Sequence, residues 1–130
     1  MAVYVVRWFR RWMAQQGLVD RDVCGAVHAM ARGLIDADLG GGLFKQRLPR
    51  NGQGKRGGFR TIVAKPKPGT WLFVYGFAKS KQGNVSAVKE LHCRDVAKQF
   101  QSLPLDQREK QVEAGLLFEV DCHAQVRDVI

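Results

Sequence analysis

The sequence predicts an α+β domain in which two helices precede an antiparallel sheet and a further helix follows it. Apolar residues recur every three or four positions between residues 8 and 34, and then alternate with polar ones between residues 43 and 78. Short connections join the strand segments, which favours antiparallel pairing. A chain of 130 residues accommodates one domain, with or without a tail.

The first 42 residues are predicted to hold a short strand, Val3 to Val6, and a helical hairpin. Four residues follow the spacing of an amphipathic helix that ends at Gly17: Trp8, Phe9, Trp12 and Met13. Asp20 is the expected N-cap of a second helix. Its core stripe is expected to comprise Val23, Val27, Met30 and Leu34. A glycine-rich loop at residues 36–42 then breaks the helical pattern.

Three strands are predicted at residues 43–48, 59–64 and 71–78, with a proline-containing turn at 65–69. In the first strand, Lys45 and Arg47 lie on the face opposite Phe44 and Leu48. In the third, four aromatic residues are expected to share one face: Trp71, Phe73, Tyr75 and Phe77. Three of them are expected to be core, whereas the polar tip of Tyr75 can reach RNA.

A third helix is expected to begin at a cap formed by Asn84 or Ser86 and to end before Pro104. Its predicted buried stripe is Val88, His92, Val96, Phe100 and Leu103. A weaker helix is expected at residues 106–114, and residues 116–120 form a short strand or a docked tail. We therefore divide the chain into a domain at residues 1–103 and an acidic extension at 104–130.

Positive charge is concentrated in the predicted sheet. The chain carries a net charge of +9, and residues 41–100 hold thirteen basic residues against two acidic ones. No carboxylate occurs between Leu39 and Lys89. A solvated face normally mixes both signs, so this excess favours a nucleic acid, an acidic protein or an anionic membrane as partner. A cationic surface without a function is the alternative.

Several classes of protein are excluded. No apolar run approaches the ~18–20 residues that span a bilayer, and the N-terminus lacks the basic start of a signal peptide. The odd, widely spaced cysteines Cys24, Cys93 and Cys122 fit neither a disulfide framework nor a zinc site. We therefore expect reduced thiols, no structural metal and a cytoplasmic location. A Walker A loop is excluded, because Pro49 replaces its first glycine and Arg56 its Ser/Thr.

The residues that can carry chemistry are cations of the sheet. Five of them are expected to converge near one end of it: Lys45, Arg47, Arg60, Lys79 and Lys81. The glycine-rich loop between the first two strands adds Arg50, Lys55 and Arg56, and its backbone N–H groups can approach phosphate oxygens closely. A flexible hairpin connection is the alternative interpretation of this loop.

Several segments together resemble toxins of the RelE/ParE superfamily, in particular the HigB-like branch. They are residues 33–42 (GLIDADLGGG), 45–47 (KQR), 54–61 (GKRGGFRT), 73–79 (FVYGFAK), 7–12 (RWFRRW) and 115–121 (GLLFEVD). The resemblance covers nearly the whole chain. It implies a compact α+β fold with two N-terminal helices packed on a twisted antiparallel sheet.

The resemblance also implies a function. Such toxins cleave messenger RNA in the ribosomal decoding site without a metal or other cofactor: the ribose 2′-OH attacks the neighbouring phosphate and the 5′-oxygen leaves. A cognate DNA-binding antitoxin would neutralise the toxin, and operator DNA would be contacted only through it. The partners expected are therefore the antitoxin, the ribosome and mRNA, and no membrane.

Catalytic residues are carried over position by position. Arg60 matches the phosphate-binding arginine of the family. Lys45 and Arg47 match the paired cations used for proton transfer and charge stabilisation, and Lys79 matches the cation after the last strand. The residues expected to bind RNA or the ribosome are Arg50, Lys55, Arg56, Tyr75 and Lys81.

This chain departs from the best-known RelE members at two positions. Ser80 and Ser86 stand where those relatives hold an arginine and a tyrosine, so these two roles are not carried over. Two alternatives therefore stay open. One is a ParE-type toxin that poisons DNA gyrase without cutting RNA, and the other is a catalytically weakened relative that binds nucleic acid.

Overall fold

The structure, a computed structural model, describes residues 1–48 and 58–123. Along the chain these residues form β1 (Ala2–Val6), α1 (Arg7–Gln16), α2 (Asp20–Ala31), β2 (Ala37–Gly40), β3 (Leu43–Leu48), β4 (Phe59–Lys67), β5 (Thr70–Ala78), α3 (Ala87–Gln101), α4 (Leu105–Glu113) and β6 (Leu117–Val120). The predicted α+β class is confirmed.

Within the described residues the strands form one sheet in the order β2-β3-β4-β5-β1-β6. The three predicted strands, β3, β4 and β5, are antiparallel as expected. However, β1 runs parallel to β5, with Val3 opposite Trp71, so the sheet is mixed rather than antiparallel throughout. Short connections impose antiparallel pairing only between successive strands, whereas two helices and three strands separate β1 from β5.

A register shift in the β4–β5 pair separates the four aromatic residues of β5, and the prediction that they share one face is wrong. Phe73 lies opposite Val63, but Tyr75 lies opposite Ile62, one residue earlier in β4. The extra residue resets the alternation of side chains. Trp71 and Phe73 consequently pack in the core beneath α1 and α2, whereas Tyr75 packs against the core beneath α3.

Two apolar clusters stabilise the sheet, one on each face. The predicted hairpin, α1 and α2, buries Phe9, Trp12, Met13, Val23 and Val27 against one face. On the other face, α3 and α4 pack over residues of β1, β4 and β5, among them Tyr4, Ile62 and Leu72. Cores on both faces explain why β4 and β5 are buried continuously over most of their length.

The α3 helix is rotated relative to the predicted stripe. Val88 is 78% exposed and His92 is also exposed, whereas Cys93 and Phe100 are buried. Ser86 is the N-cap, because its Oγ accepts a hydrogen bond from the Lys89 N–H at 3.1 Å. At the start of α2 the N-cap is Val19 and not Asp20, whose carboxylate instead forms an ion pair with Arg10.

The expectation that all three thiols are reduced is wrong in this structure. Cys24 of α2 and Cys122, just beyond β6, form a disulfide with their Cα atoms 5.2 Å apart. Sequence spacing did not reveal it, because pairing of β6 with β1 brings together two residues that are 98 positions apart. Cys93 is a buried free cysteine, and burial raises the pKa of its thiol to about 11.

The segment beyond residue 103 contributes to the same sheet and core. Leu117 and Val120 of β6 are buried, and β6 pairs with β1 from Val3 to Val6. Of the two forms considered for residues 116–120, a strand and a docked tail, the structure has the strand. Across residues 1–48 and 58–123, no helix has the length and apolar character required to cross a membrane.

Candidate functional site

Three of the predicted cations lie on two adjacent rows of the face of the sheet that α3 covers. The arginine row is formed by Arg47, Arg60 and Phe77, which are direct neighbours across β3, β4 and β5. The lysine row, two residues further along β4, is formed in the same way by Lys45, Ile62 and Tyr75. The rows are about 7 Å apart because each strand residue advances ~3.3 Å.

The arginine row places two like charges directly opposite each other. Arg60 is only 8% exposed, whereas Arg47 lies at the surface. Like charges opposite each other destabilise a sheet, and a buried guanidinium requires a counter-charge. Burial also fixes Arg60 in place, so its orientation does not have to be acquired when an anion binds.

Asp36 supplies the counter-charge. Its Oδ2 lies 3.5 Å from Nε of Arg60, and its Oδ1 lies 3.9 Å from an Nη of Arg47. Its backbone N–H donates a hydrogen bond to Oε1 of Gln46 at 3.0 Å, and the Gln46 amide in turn donates to the Leu34 carbonyl at 3.1 Å. The buried Gln46 side chain thereby holds the segment before β2 against β3.

A chain of hydrogen bonds connects the two ends of the lysine row. Lys45 Nζ donates to Oδ1 of Asn84 at 3.4 Å, and the Gln82 amide donates to the Asn84 carbonyl at 2.8 Å. The Tyr75 hydroxyl donates to Oε1 of Gln82 at 3.4 Å. The loop between β5 and α3 therefore links Lys45 to Tyr75 above the buried Ile62.

The remaining predicted site residues are less closely associated. Lys79 and Lys81 are exposed in the turn after β5. The Lys79 N–H donates to the Gly58 carbonyl at 3.2 Å, which places this turn at the end of the sheet where β4 begins, close to Arg60. Arg50, Lys55 and Arg56 lie outside the described residues.

The arrangement is suited to binding a phosphodiester. Two guanidinium groups share one carboxylate, and Lys45 adds a further positive charge on the next row. A guanidinium matches phosphate oxygens in a bidentate geometry, and an ammonium adds charge and a transferable proton. No set of His, Cys, Asp or Glu side chains within the described part of the chain is grouped as metal ligands would be.

A family model described as the RelE toxin of the RelE/RelB toxin–antitoxin system matches residues 1–120. The chain belongs to the RelE toxin family. This membership makes the protein a toxin of a toxin–antitoxin system with a cognate antitoxin as its partner, and the match takes in every element from β1 to β6. No curated protein and no solved structure was found to match.

Three polar residues beside the cations of this RelE toxin were missed by sequence reasoning: Asp36, Gln82 and Asn84. Asp36 lies in the segment that carried the family resemblance, close to the start of the long carboxylate-free stretch. That position is the available signal, although the local pattern by itself predicts only a loop. Gln82 and Asn84 lie within three positions after Lys81, and an Asn before a helix is more commonly a cap, as the sequence predicts for Asn84.

Proposed function

We propose that this RelE toxin is a ribosome-dependent endoribonuclease of the HigB-like branch that cleaves mRNA in the cytoplasm without a metal. The observation that carries the proposal is the pair of rows: two arginines opposite each other, one of them buried, beside a lysine. A protein that only binds gyrase has no need for cations converging on one sheet face. The carboxylate-free stretch around them supports docking on ribosomal RNA.

The reaction is a transesterification within the RNA, in which the bond from phosphorus to the 2′-oxygen forms and its bond to the 5′-oxygen breaks. The 2′-oxygen of the ribose loses its proton and attacks the neighbouring phosphorus, and the 5′-oxygen leaves and gains a proton, which yields a cyclic phosphate. Negative charge accumulates on the non-bridging oxygens in the transition state. Cations already oriented toward that charge lower the barrier, because they need no reorganisation during the reaction.

Each residue has a role that follows from its position. Arg60, held by burial, binds the non-bridging oxygens, and Arg47 opposite it stabilises the charge that develops there. Lys45 on the next row takes part in proton transfer. Lys79, in the turn at the same end of the sheet, acts with them on the scissile phosphate as a further cation. Lys81 in the same turn holds the RNA backbone, and Tyr75 contacts the RNA beside Lys45. Arg50, Lys55 and Arg56 are proposed to add ribosome contacts.

The two departures from the best-known relatives affect different elements. Ser86 caps α3 in this chain, so its hydroxyl serves the helix. Ser80 lies in the exposed turn between Lys79 and Lys81. We propose that Tyr75 and Lys81 supply the aromatic and cationic contacts that the relatives obtain from these positions. Operator DNA is contacted only through the antitoxin.

The test is induction of the toxin in cells, followed by mapping of transcript ends. Arg60→Ala is expected to abolish growth arrest and codon-positioned cleavage, and Arg60→Lys to retain only a small part of both. Arg11→Ala, an exposed arginine of α1 on the opposite side of the sheet, is the control and is expected to behave as the wild type. Thermal unfolding of the purified variants verifies that they fold.

Arrest and cleavage that persist in Arg60→Ala would contradict the assignment of Arg60. A wild-type protein that arrests growth with no codon-positioned cuts, and induces the SOS response instead, would support the gyrase alternative.

A further inference from the structure

A second feature of the surface lies where β1 ends. The chain leaves the sheet after Val6 and continues as α1, so β5 extends beyond its parallel neighbour from Val74 onward. A groove of about 310 Å³ lies there between the first turn of α1, β5 and α3. Its volume is at the lower end of the range of small-ligand sites in proteins.

Aromatic rings form one wall of the groove. Trp8 stacks on Tyr75, with ring centroids 4.9 Å apart, and its ring is nearly parallel to that of Trp12 at 6.3 Å. Trp8 nevertheless remains 47% exposed. An indole held by its neighbours and still open to solvent is the type of surface on which unpaired bases stack.

The other walls carry positive and polar groups. Lys89 of α3 places its Nζ 5.0 Å from the centroid of the Tyr75 ring, and Arg7 and His92 also line the groove. No carboxylate is among the described residues that line it. This combination of an aromatic wall and cations complements a nucleotide, which presents a flat base and an anionic phosphate.

The groove is continuous with the candidate site through one residue. Tyr75 ends the lysine row on one side and forms part of the groove on the other. The hydrogen bonds through Gln82 and Asn84 connect it to Lys45. An RNA strand that places its phosphate at Arg60 can therefore extend across Tyr75 to Trp8.

We infer that this groove binds a nucleotide of single-stranded RNA next to the scissile phosphate. The base packs on the exposed part of Trp8, and Arg7 and Lys89 hold the adjoining phosphate. The inference rests on the proposed function, because the strand concerned is the substrate of the ribonuclease. It adds a subsite formed by α1 and α3, elements that contribute none of the proposed catalytic residues.

The test measures binding separately from cleavage. The probe is a fluorescently labelled single-stranded RNA, 2′-O-methylated at every ribose so that no 2′-OH can attack, and the readout is fluorescence anisotropy. Trp8→Ala is expected to weaken binding about 5- to 150-fold, the range found when a base-stacking aromatic residue is removed. Trp8→Phe keeps a ring and is expected to remain within about threefold of the wild type.

Leu105→Ala is the matched control, because Leu105 is another large apolar residue at the surface, 63% exposed on α4. Its affinity for the RNA is expected to equal that of the wild type. Thermal unfolding of each variant verifies that affinity is compared between folded proteins. Binding by Trp8→Ala that equals that of the wild type overturns the inference.

Failure of the inference is distinguishable from failure of the proposed function. If the wild type cleaves no mRNA but Trp8→Ala still loses RNA affinity, the inference that the groove binds RNA is supported. The proposal that the toxin is a ribonuclease is overturned. If cleavage depends on Arg60 but the RNA affinity of Trp8→Ala is unchanged, only the inference that the groove binds RNA is overturned. Unchanged RNA affinity together with escape of Trp8→Ala from antitoxin neutralisation would assign the groove to a protein partner, which also overturns the inference.

Discussion

The Oδ2 atom of Asp36 lies 3.5 Å from the Nε atom of Arg60, the buried arginine of the candidate site. The same carboxylate is 3.9 Å from Arg47, so a single anion serves both guanidinium groups of the arginine row. A phosphate that binds these arginines must compete with Asp36 for them. In the proposed ribonuclease, Asp36 is therefore a weak competitor of the RNA phosphate, and it also stabilises Arg60 when no RNA is bound.

Removing the charge of Asp36 is expected to strengthen RNA binding. Asp36→Asn keeps the size of the side chain but removes the charge that pairs with Arg47 and Arg60. A partly exposed ion pair contributes up to ~1 kcal/mol, so RNA that no longer has to displace it should bind about twofold to fivefold more tightly. Anisotropy with the non-cleavable RNA measures the gain. Asp38→Asn is the control, because the Asp38 carboxylate accepts a hydrogen bond from the Gly40 N–H within β2. Equal gains in both variants would indicate a general charge effect.

Lys45 is expected to matter far more than a lysine at the other end of the sheet. Lys45→Met should slow single-turnover cleavage by about 100-fold or more, the usual contribution of a proton-transfer group. Lys65→Met makes the same change at a residue whose Nζ lies 5.0 Å from the centroid of the Trp71 ring, away from the arginine row. It should leave the rate within about threefold of the wild type. Similar losses in both variants would contradict a chemical role for Lys45.

The disulfide between Cys24 and Cys122 is expected to stabilise the folded protein. It closes a loop with a sequence separation of 98 residues, and Cys122→Ser should lower the free energy of unfolding by about 2–4 kcal/mol. Urea titrations with and without dithiothreitol measure this difference. Reductant should destabilise the wild type by a similar amount and have no effect on Cys122→Ser. A wild-type midpoint that is insensitive to reductant would contradict a stabilising disulfide.

Gly76 of β5 has no space for a side chain. A Cβ built there would lie within 2.7 Å of three ring atoms of Trp12. Gly76→Ala should therefore destabilise the protein by about 1–3 kcal/mol, the cost of overpacking a core. Gly25→Ala, in α2 with no atom within 4 Å of its Cβ, should instead stabilise it by about 0.5–1 kcal/mol. Thermal unfolding distinguishes the two, and a shift of the same sign in both would contradict the packing.

Local sequence pattern was sufficient for most elements of secondary structure. The predicted helical hairpin, the three central strands and the α+β class are confirmed, because their periodicities depend only on neighbouring residues. The family followed from motifs along the whole chain and agrees with the match over residues 1–120. The parallel pairing of β1, the face of Tyr75 and the Cys24–Cys122 disulfide did not follow, since each depends on residues far apart in sequence.

The sequence alone is enough to place Lys45 and Arg47 on one strand and Arg60 on the next, in a region of this toxin almost free of carboxylates. The burial of Arg60 beside Asp36 and the stacking of Trp8 on Tyr75 depend instead on how distant parts of the chain pack. Residue types and their spacing specify which groups each strand carries, and alternation assigns those groups to faces only where the strand is regular. Strand register, the β-bulge and the packing of α1 specify which of those groups come into contact.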